Sequence, residues 1–171
     1  MRIHRLGFAA LQGHDDVLDG DHPIEIEPLD LASDIRTAIE VRKFDDSEWG
    51  VLFGSLQELL DAISPSGEGC HELVALIDAM MFDCKRVKEH SILSRDGLFT
   101  QLRCTFSHAI SLSLIATGSR LRARDVPELV EMLSWCSLVR DLPEDWRKGL
   151  INVPAEVLNY VGWNEIGRAH V

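Results

Sequence analysis

Apolar residues recur at steps of three and four along most of this chain, and that spacing fits a helix and no strand. From Glu68 to about Lys88, Leu73, Ile77, Met80, Cys84 and Val87 fall on one stripe. From Asp96 to Thr117 a second stripe carries Leu98, Leu102, Phe106, Ala109 and Leu112 or Ser113. From Val126 to Leu142, Leu129, Leu133, Cys136 and Arg140 share a face. Shorter helices are expected at Pro28–Arg42, with proline in a first turn that needs no N–H, and at Ser47–Ile63. Breaks fall at Gly20–Pro23, Ser64–Gly69 and Gly118–Arg124, the second rich in serine, proline and glycine. Only Ile24-Glu25-Ile26-Glu27 alternates, and it is too short to found a sheet. With 46% hydrophobic residues in 171, one core of ordinary size can form. The expected fold is all-α, a helical bundle.

The formal net charge of −11 sets the chain against nucleic acid and anionic membrane surfaces. An acidic protein that handles phosphate needs a local positive charge, and a divalent cation supplies one. Cys70, Cys84, Cys104 and Cys136 include no CxxC pair, so they are expected as reduced, mostly buried thiols in a cytoplasmic protein, not as a zinc site. No apolar run reaches the roughly 18 residues of a membrane span.

The last seven residues, Glu165-Ile166-Gly167-Arg168-Ala169-His170-Val171, are the translation of a common sequencing adapter. They are therefore set apart as non-native. Residues 1–164 are expected to be a partial domain, incomplete at one or both ends.

The densest carboxylate cluster is His14-Asp15-Asp16-Val17-Leu18-Asp19-Gly20-Asp21. On a helix Asp15 and Asp19 are one turn apart on the same face, and Gly20 ends the helix. Hard oxygens so placed suit Mg²⁺, which takes one or two carboxylates and keeps waters or phosphate oxygens. A solvated acidic helix end accounts for the same spacing equally well. A second segment places Ser137, Asp141 and Asp145 at i, i+4 and i+8, with Arg140, Arg147 and Lys148 beside them. Acids for a metal and bases for phosphate oxygens are what a Mg²⁺–diphosphate complex needs, and a surface turn laced with ion pairs has the same composition. Pro143 is expected to distort the helix there.

The run Arg140-Asp141-x-x-Glu144-Asp145-x-x-x-Gly149-x-x-x-Val153-Pro154 resembles the second aspartate-rich motif of squalene and phytoene synthases. Leu76-Ile77-Asp78-Ala79-Met80-Met81-Phe82-Asp83 is similar to an internal segment of that family. His14 to Gly20 resembles its first motif, and also the HDDxxDG of trans-polyprenyl diphosphate synthases. The resemblance spans about Leu6 to Leu158 and implies the class I isoprenoid synthase bundle. It implies that Asp15, Asp16 and Asp19 hold Mg²⁺ from one wall of a cavity, and Asp141 and Asp145, with Ser137, from the facing wall. Arg140 would orient diphosphate, with Arg86 and Lys148 as further substrate-binding cations. The implied activity is Mg²⁺-assisted ionisation of an isoprenoid diphosphate, the protein supplying charge neutralisation and a dry apolar cavity. Catalytic roles fall on Arg140, Asp141 and Asp145. Ser137 stands where the family has Asn, and Val153 where it has Tyr, so this chain departs at a ligand and at the acceptor pocket.

Head-to-tail prenyl diphosphate synthases and terpene cyclases share this metal logic, and a non-catalytic helical module keeping the fold is the alternative of another class. Elsewhere, His108 is expected as a satisfied core histidine and Met80 and Met81 as core packing. Asp83 is either a surface acid or the partner of a base such as Arg86. Asp78 reads as a plain acid on an apolar helix, and Lys85 and Lys88 either reach diphosphate or solvate a helix end.

Overall fold

The structure, a computed structural model, describes residues 2–163. Among these residues there is no strand; the chain runs through α1 (Arg2–Leu18), α2 (Pro28–Val41), α3 (Glu48–Ile63), α4 (Glu68–Glu89), α5 (Arg95–Ala116), α6 (Pro127–Lys148) and α7 (Ala155–Tyr160). A 3-10 turn, Ala123–Asp125, leads into α6. The fold is all-α, as the periodicity predicts. No helix among the described residues is long and apolar enough to cross a membrane. The adapter-like residues 165–171 lie outside the described residues.

Local chemistry sets the helix ends. Ser47 Oγ accepts the Gly50 N–H at 3.0 Å and starts α3. Ser94 Oγ accepts the Gly97 N–H at 3.2 Å and starts α5. Each such cap contributes about 1 kcal/mol. Pro28 opens α2 and Pro127 opens α6, where a missing N–H costs nothing. Gly20 (φ 79°) closes α1 and Gly149 (φ 87°) closes α6 in the left-handed region.

The core forms where α1, α3, α4 and α5 meet, around Ala10, Val17, Phe53, Leu73, Ile77 and Ile115. Burying each large apolar side chain contributes about 1.5–3 kcal/mol. The α4 stripe is as expected, with Leu73, Ile77 and Cys84 buried. Helix α2 lies against α4, and α4 packs most extensively on α5.

Two expectations, one about α6 and one about the cysteines, are corrected. Leu129, Cys136 and Arg140 face solvent; the buried residues of α6 are Val130 and Ser134, with Leu133 packed partly beside them. The helix turns its Ser137–Asp141–Asp145 ridge toward the bundle, which carries the Leu129–Cys136 line outward. Pro143 lies within α6, which runs on past it to Lys148. It sits on the exposed side, where water can take the carbonyl of Val139 that loses its N–H partner. Cys70 and Cys84 are buried, but Cys104 and Cys136 are exposed, and all four are free thiols.

Candidate functional site

The acidic ends of α1 and α6 meet beside the middle of α4. Asp19, one residue past α1, Asp83 of α4, and Asp145 and Lys148 of α6 line one small cavity of about 40 Å³. Lys148 Nζ bridges the two walls, 3.4 Å from Asp19 Oδ2, 2.6 Å from Asp21 Oδ2 and 3.3 Å from Glu144 Oε1. Burial works against its charge, yet Asp21, Asp19 and Glu144 hold the ammonium above the usual lysine range.

Burial first, and neighbouring acids second, raise three carboxyls in this region. Asp15 is pushed up to about 7, first by burial and then by Asp19 and Asp16. Asp19 is raised, by burial foremost, with Lys148 opposing and Asp21 and Asp83 adding to it. Asp145 is raised by burial, opposed by the hydrogen bond from Asn152, and raised further by Asp141, Asp19 and Asp83. Clusters of shifted groups beside a cavity mark functional sites more often than chance placement does.

Behind the ridge a network fixes Asp145. Asn152 Nδ2 donates to Asp145 Oδ2 at 2.9 Å. Arg86 is 3% exposed; it donates to Asp83 Oδ1 at 2.7 Å, Asn152 Oδ1 at 3.1 Å and the Ile151 carbonyl at 3.0 Å. Gln101 Nε2 donates to the other oxygen of Asp83 at 3.0 Å. Gly149 lets the chain reverse after α6, with Leu150 N–H on the Asp145 carbonyl at 2.8 Å and Gly149 N–H on the Trp146 carbonyl at 3.2 Å. That turn returns Ile151 and Asn152 to Arg86.

Not every expected residue joins the cluster. Asp16 accepts Gln12 Nε2 at 2.8 Å at the surface. Asp141 stays on the ridge, but Arg140 holds it in a two-pronged pair, Nε to Oδ1 at 2.6 Å and Nη2 to Oδ2 at 2.7 Å. Ser137 Oγ also donates to it, at 2.8 Å. Arg140's hydrogen bonds hold the Asp141 carboxyl below its ordinary value. Arg140 itself is exposed. Arg86, expected as a substrate-binding cation, turns both Nη groups into the interior onto Asp83, Asn152 and the Ile151 carbonyl, while its Nε is buried without a hydrogen-bond partner. The pairing of Asp83 with Arg86, one of two readings the sequence allows, is the one the structure shows.

Asn152 and Asp83 are the functional residues the sequence ranks too low. Asn152 lies in a loop, where no periodicity marks it. Glu144 and Asp21 enter through Lys148 alone. His108 is half-buried with Nδ1 2.7 Å from Glu72 Oε2, in a separate polar cavity of about 310 Å³. Asp78 is paired with Arg36 at 2.6 Å, Lys88 with Glu27, and Lys85 is exposed.

A second, larger cavity of about 450 Å³ begins at Asp15 and runs between α1, α4 and α5 over apolar walls that include Leu11, Leu73, Met80, Ala109 and Leu112. The Asp15 carboxyl thus stands at one end of an apolar groove.

Among the described residues no group of three or more histidine, cysteine or acidic side chains is placed to hold a metal ion. Mg²⁺ needs only one or two carboxylates and otherwise keeps water or phosphate oxygens, so Asp19 and Asp145, which line one cavity, could supply its protein ligands. A half-buried carboxyl raised to about 7 by desolvation and its acidic neighbours is a group that a divalent cation would restore to charge. No family model matches the chain, and no match is found among curated proteins or solved structures.

Proposed function

We propose that this chain is the metal- and prenyl-binding part of a Mg²⁺-dependent transferase that acts on isoprenoid diphosphates, of the squalene/phytoene synthase type. The observation that carries the proposal is that Asp19, Asp83 and Asp145, from three helices, line one cavity, while Asp15, which feels the charge of Asp19 and Asp83, lines one end of the apolar groove. A diphosphate with a hydrocarbon tail has the matching chemistry at both ends.

Asp15, Asp19 and Asp145 would hold Mg²⁺, whose charge would stabilise departing diphosphate. Lys148 offers an ammonium to the phosphate oxygens once its carboxylates turn to the metal. Arg140, exposed beside Asp141, is placed to meet diphosphate from the solvent side. Arg86 and Asn152 position Asp145 and Asp83. Leu11, Leu73, Met80 and Leu112 keep water from the tail.

The Arg140–Asp141 pair favours the alternative of a non-catalytic helical module, because it occupies an expected ligand. Incubation with farnesyl or geranylgeranyl diphosphate and Mg²⁺, following inorganic diphosphate and organic products, separates the two. The transferase reading expects Mg²⁺-dependent diphosphate release that Asp145→Ala abolishes. Release that is absent, or unchanged in that variant, rejects it. Product identity separates squalene/phytoene-type coupling from chain elongation and cyclisation.

A further inference from the structure

The polar cavity beside His108 shares no residue with the acidic cluster, and its hydrogen-bonding capacity is unevenly spent. It lies between α4, α5, the 3-10 turn and the start of α6, and its volume of about 310 Å³ falls in the range of small-molecule pockets. Its carboxylates are engaged. Glu68 accepts Arg122 on both oxygens, from Nε at 2.8 Å and from Nη2 at 2.6 Å, and these bonds hold the carboxyl below its ordinary value. Glu72 Oε2 accepts His108 Nδ1–H at 2.7 Å, and Glu131 accepts Arg103 Nε–H.

Its donors are not engaged to the same degree. Arg103, Ser107 and Ser111 follow at steps of four along α5 and all line the cavity, a ridge about 12 Å long. Thr105 and Ser113 on the same helix give their hydroxyls to the carbonyl four residues back, at 3.1 and 2.9 Å. Ser107 makes no such bond, and its hydroxyl has no partner among the described residues. Ser111 is buried and accepts the Ala123 N–H at 3.2 Å, which fastens the 3-10 turn to α5, but its own proton has no acceptor there. Both Nη groups of Arg103 are free of protein partners among the described residues. So is the whole guanidinium of Arg124, exposed on the 3-10 turn across from α5. A carboxylate only accepts, so His108 Nδ1 carries the hydrogen shared with Glu72, and Nε2 is left to a ligand.

We propose that this cavity is a second ligand site, for the phosphate monoester of a small polyol, independent of the transferase reading. The phosphoryl group sits at the exposed mouth between Arg103 and Arg124, with Ser107 as a third donor. Three terminal oxygens in a tetrahedron can meet donors arriving from two elements; a planar carboxylate offers two oxygens in one plane. Deeper in, a ligand hydroxyl donates to His108 Nε2 and accepts the Ser111 proton. Ala123, Pro127 and Val130 are the apolar lining residues, so the walls do not suit a hydrocarbon. The chain's net charge of −11 does not forbid an anion here. Charges more than about 8–10 Å away are screened, and within the cavity Arg103, Arg122 and Arg124 balance Glu68, Glu72 and Glu131.

The test is isothermal titration calorimetry of the full chain at low salt, in EDTA so that no metal loads the carboxylate cluster. The probes are glycerol 3-phosphate, inorganic phosphate, succinate and glycerol. Arg124→Gln and Ser107→Ala remove side chains that make no protein hydrogen bond, so both should fold, which far-UV circular dichroism checks. Arg120→Gln, at an exposed arginine outside the cavity, controls for charge alone. Glycerol 3-phosphate should bind the parent at least about threefold more tightly than phosphate or succinate, and glycerol should not bind. Arg124→Gln should weaken glycerol 3-phosphate about tenfold or more, Ser107→Ala about three- to tenfold, and Arg120→Gln not at all. A parent that does not bind glycerol 3-phosphate, or binds succinate as tightly, overturns the assignment. So does binding that survives Arg124→Gln and Ser107→Ala unchanged, or that falls equally in Arg120→Gln.

Discussion

Replacing Asp15 with Asn should stabilise the metal-free protein and cost it its metal. Asn keeps the shape and removes the charge. The Asp15 carboxyl ordinarily titrates near 3.8 and is pushed to about 7 here, chiefly by burial and then by Asp19 and Asp16. Its folded value lies above its unfolded one, so the folded state holds the extra proton between the two. The stability this confers is complete below about pH 3.8 and is lost as pH rises through 7. A rise of that size corresponds to at most about 4 kcal/mol. Partial solvent contact and the nearby Lys148 ammonium reduce this to about 1–2 kcal/mol. Urea denaturation in EDTA at pH 8 should therefore find Asp15→Asn more stable by that amount. Near pH 4 the two proteins should converge. With Mg²⁺ and inorganic diphosphate at pH 8 the order should invert, because only the parent gains binding energy. An Asp15→Asn protein no more stable than the parent at pH 8 in EDTA would refute the claim that uncompensated negative charge collects there.

Other perturbations test separate links. His14 is fully buried against Phe53 with both ring nitrogens unpartnered, and burial lowers it to about 4. Its folded value lies below its unfolded 6.5, so it costs up to about 3 kcal/mol as pH falls from 6.5 toward 4. His14→Leu should remove that acid sensitivity, read as a flatter denaturation midpoint between about pH 7 and 4.5. Arg86→Met should cost about 3–5 kcal/mol in urea unfolding, by leaving Asp83, Asn152 and the Ile151 carbonyl short of a donor. Gly149→Ala should cost about 1–2 kcal/mol, because φ of 87° is strained for a residue with a Cβ although space is available. Gly50→Ala should cost more, since its Cβ would overlap the backbone carbonyl of Asp45; thermal melts rank the two.

The fold class was legible because helical periodicity is a local property. Leu73, Ile77 and Cys84 are buried as their spacing demands. The facing of α6 was not legible. Its sequence offers two ridges, one apolar through Leu129 and Cys136 and one acidic through Ser137, Asp141 and Asp145, and the hydrophobic rule selects the first. The structure turns Asp145 of the acidic ridge inward, toward Asp19 and Asp83, against the usual preference for burying the apolar line. Asp15, Asp19, Asp145 and Lys148 could be picked out because spacing puts them near helix ends. Arg86 and Asn152 could not, because their roles depend on a loop returning across α4, and no local pattern encodes that path. The free carboxyl of Asp141 was likewise expected from spacing, but its neighbour Arg140 takes it up.

The central claim is that carboxylates from α1 and α6 form one cation-binding cluster. Electron paramagnetic resonance of Mn²⁺, added with inorganic diphosphate in place of Mg²⁺, reads this directly. Bound Mn²⁺ should appear in the parent protein and be lost in both Asp19→Ala and Asp145→Ala, one change on each wall. Mn²⁺ binding that survives either substitution unchanged, or that never exceeds binding to diphosphate alone, would contradict it.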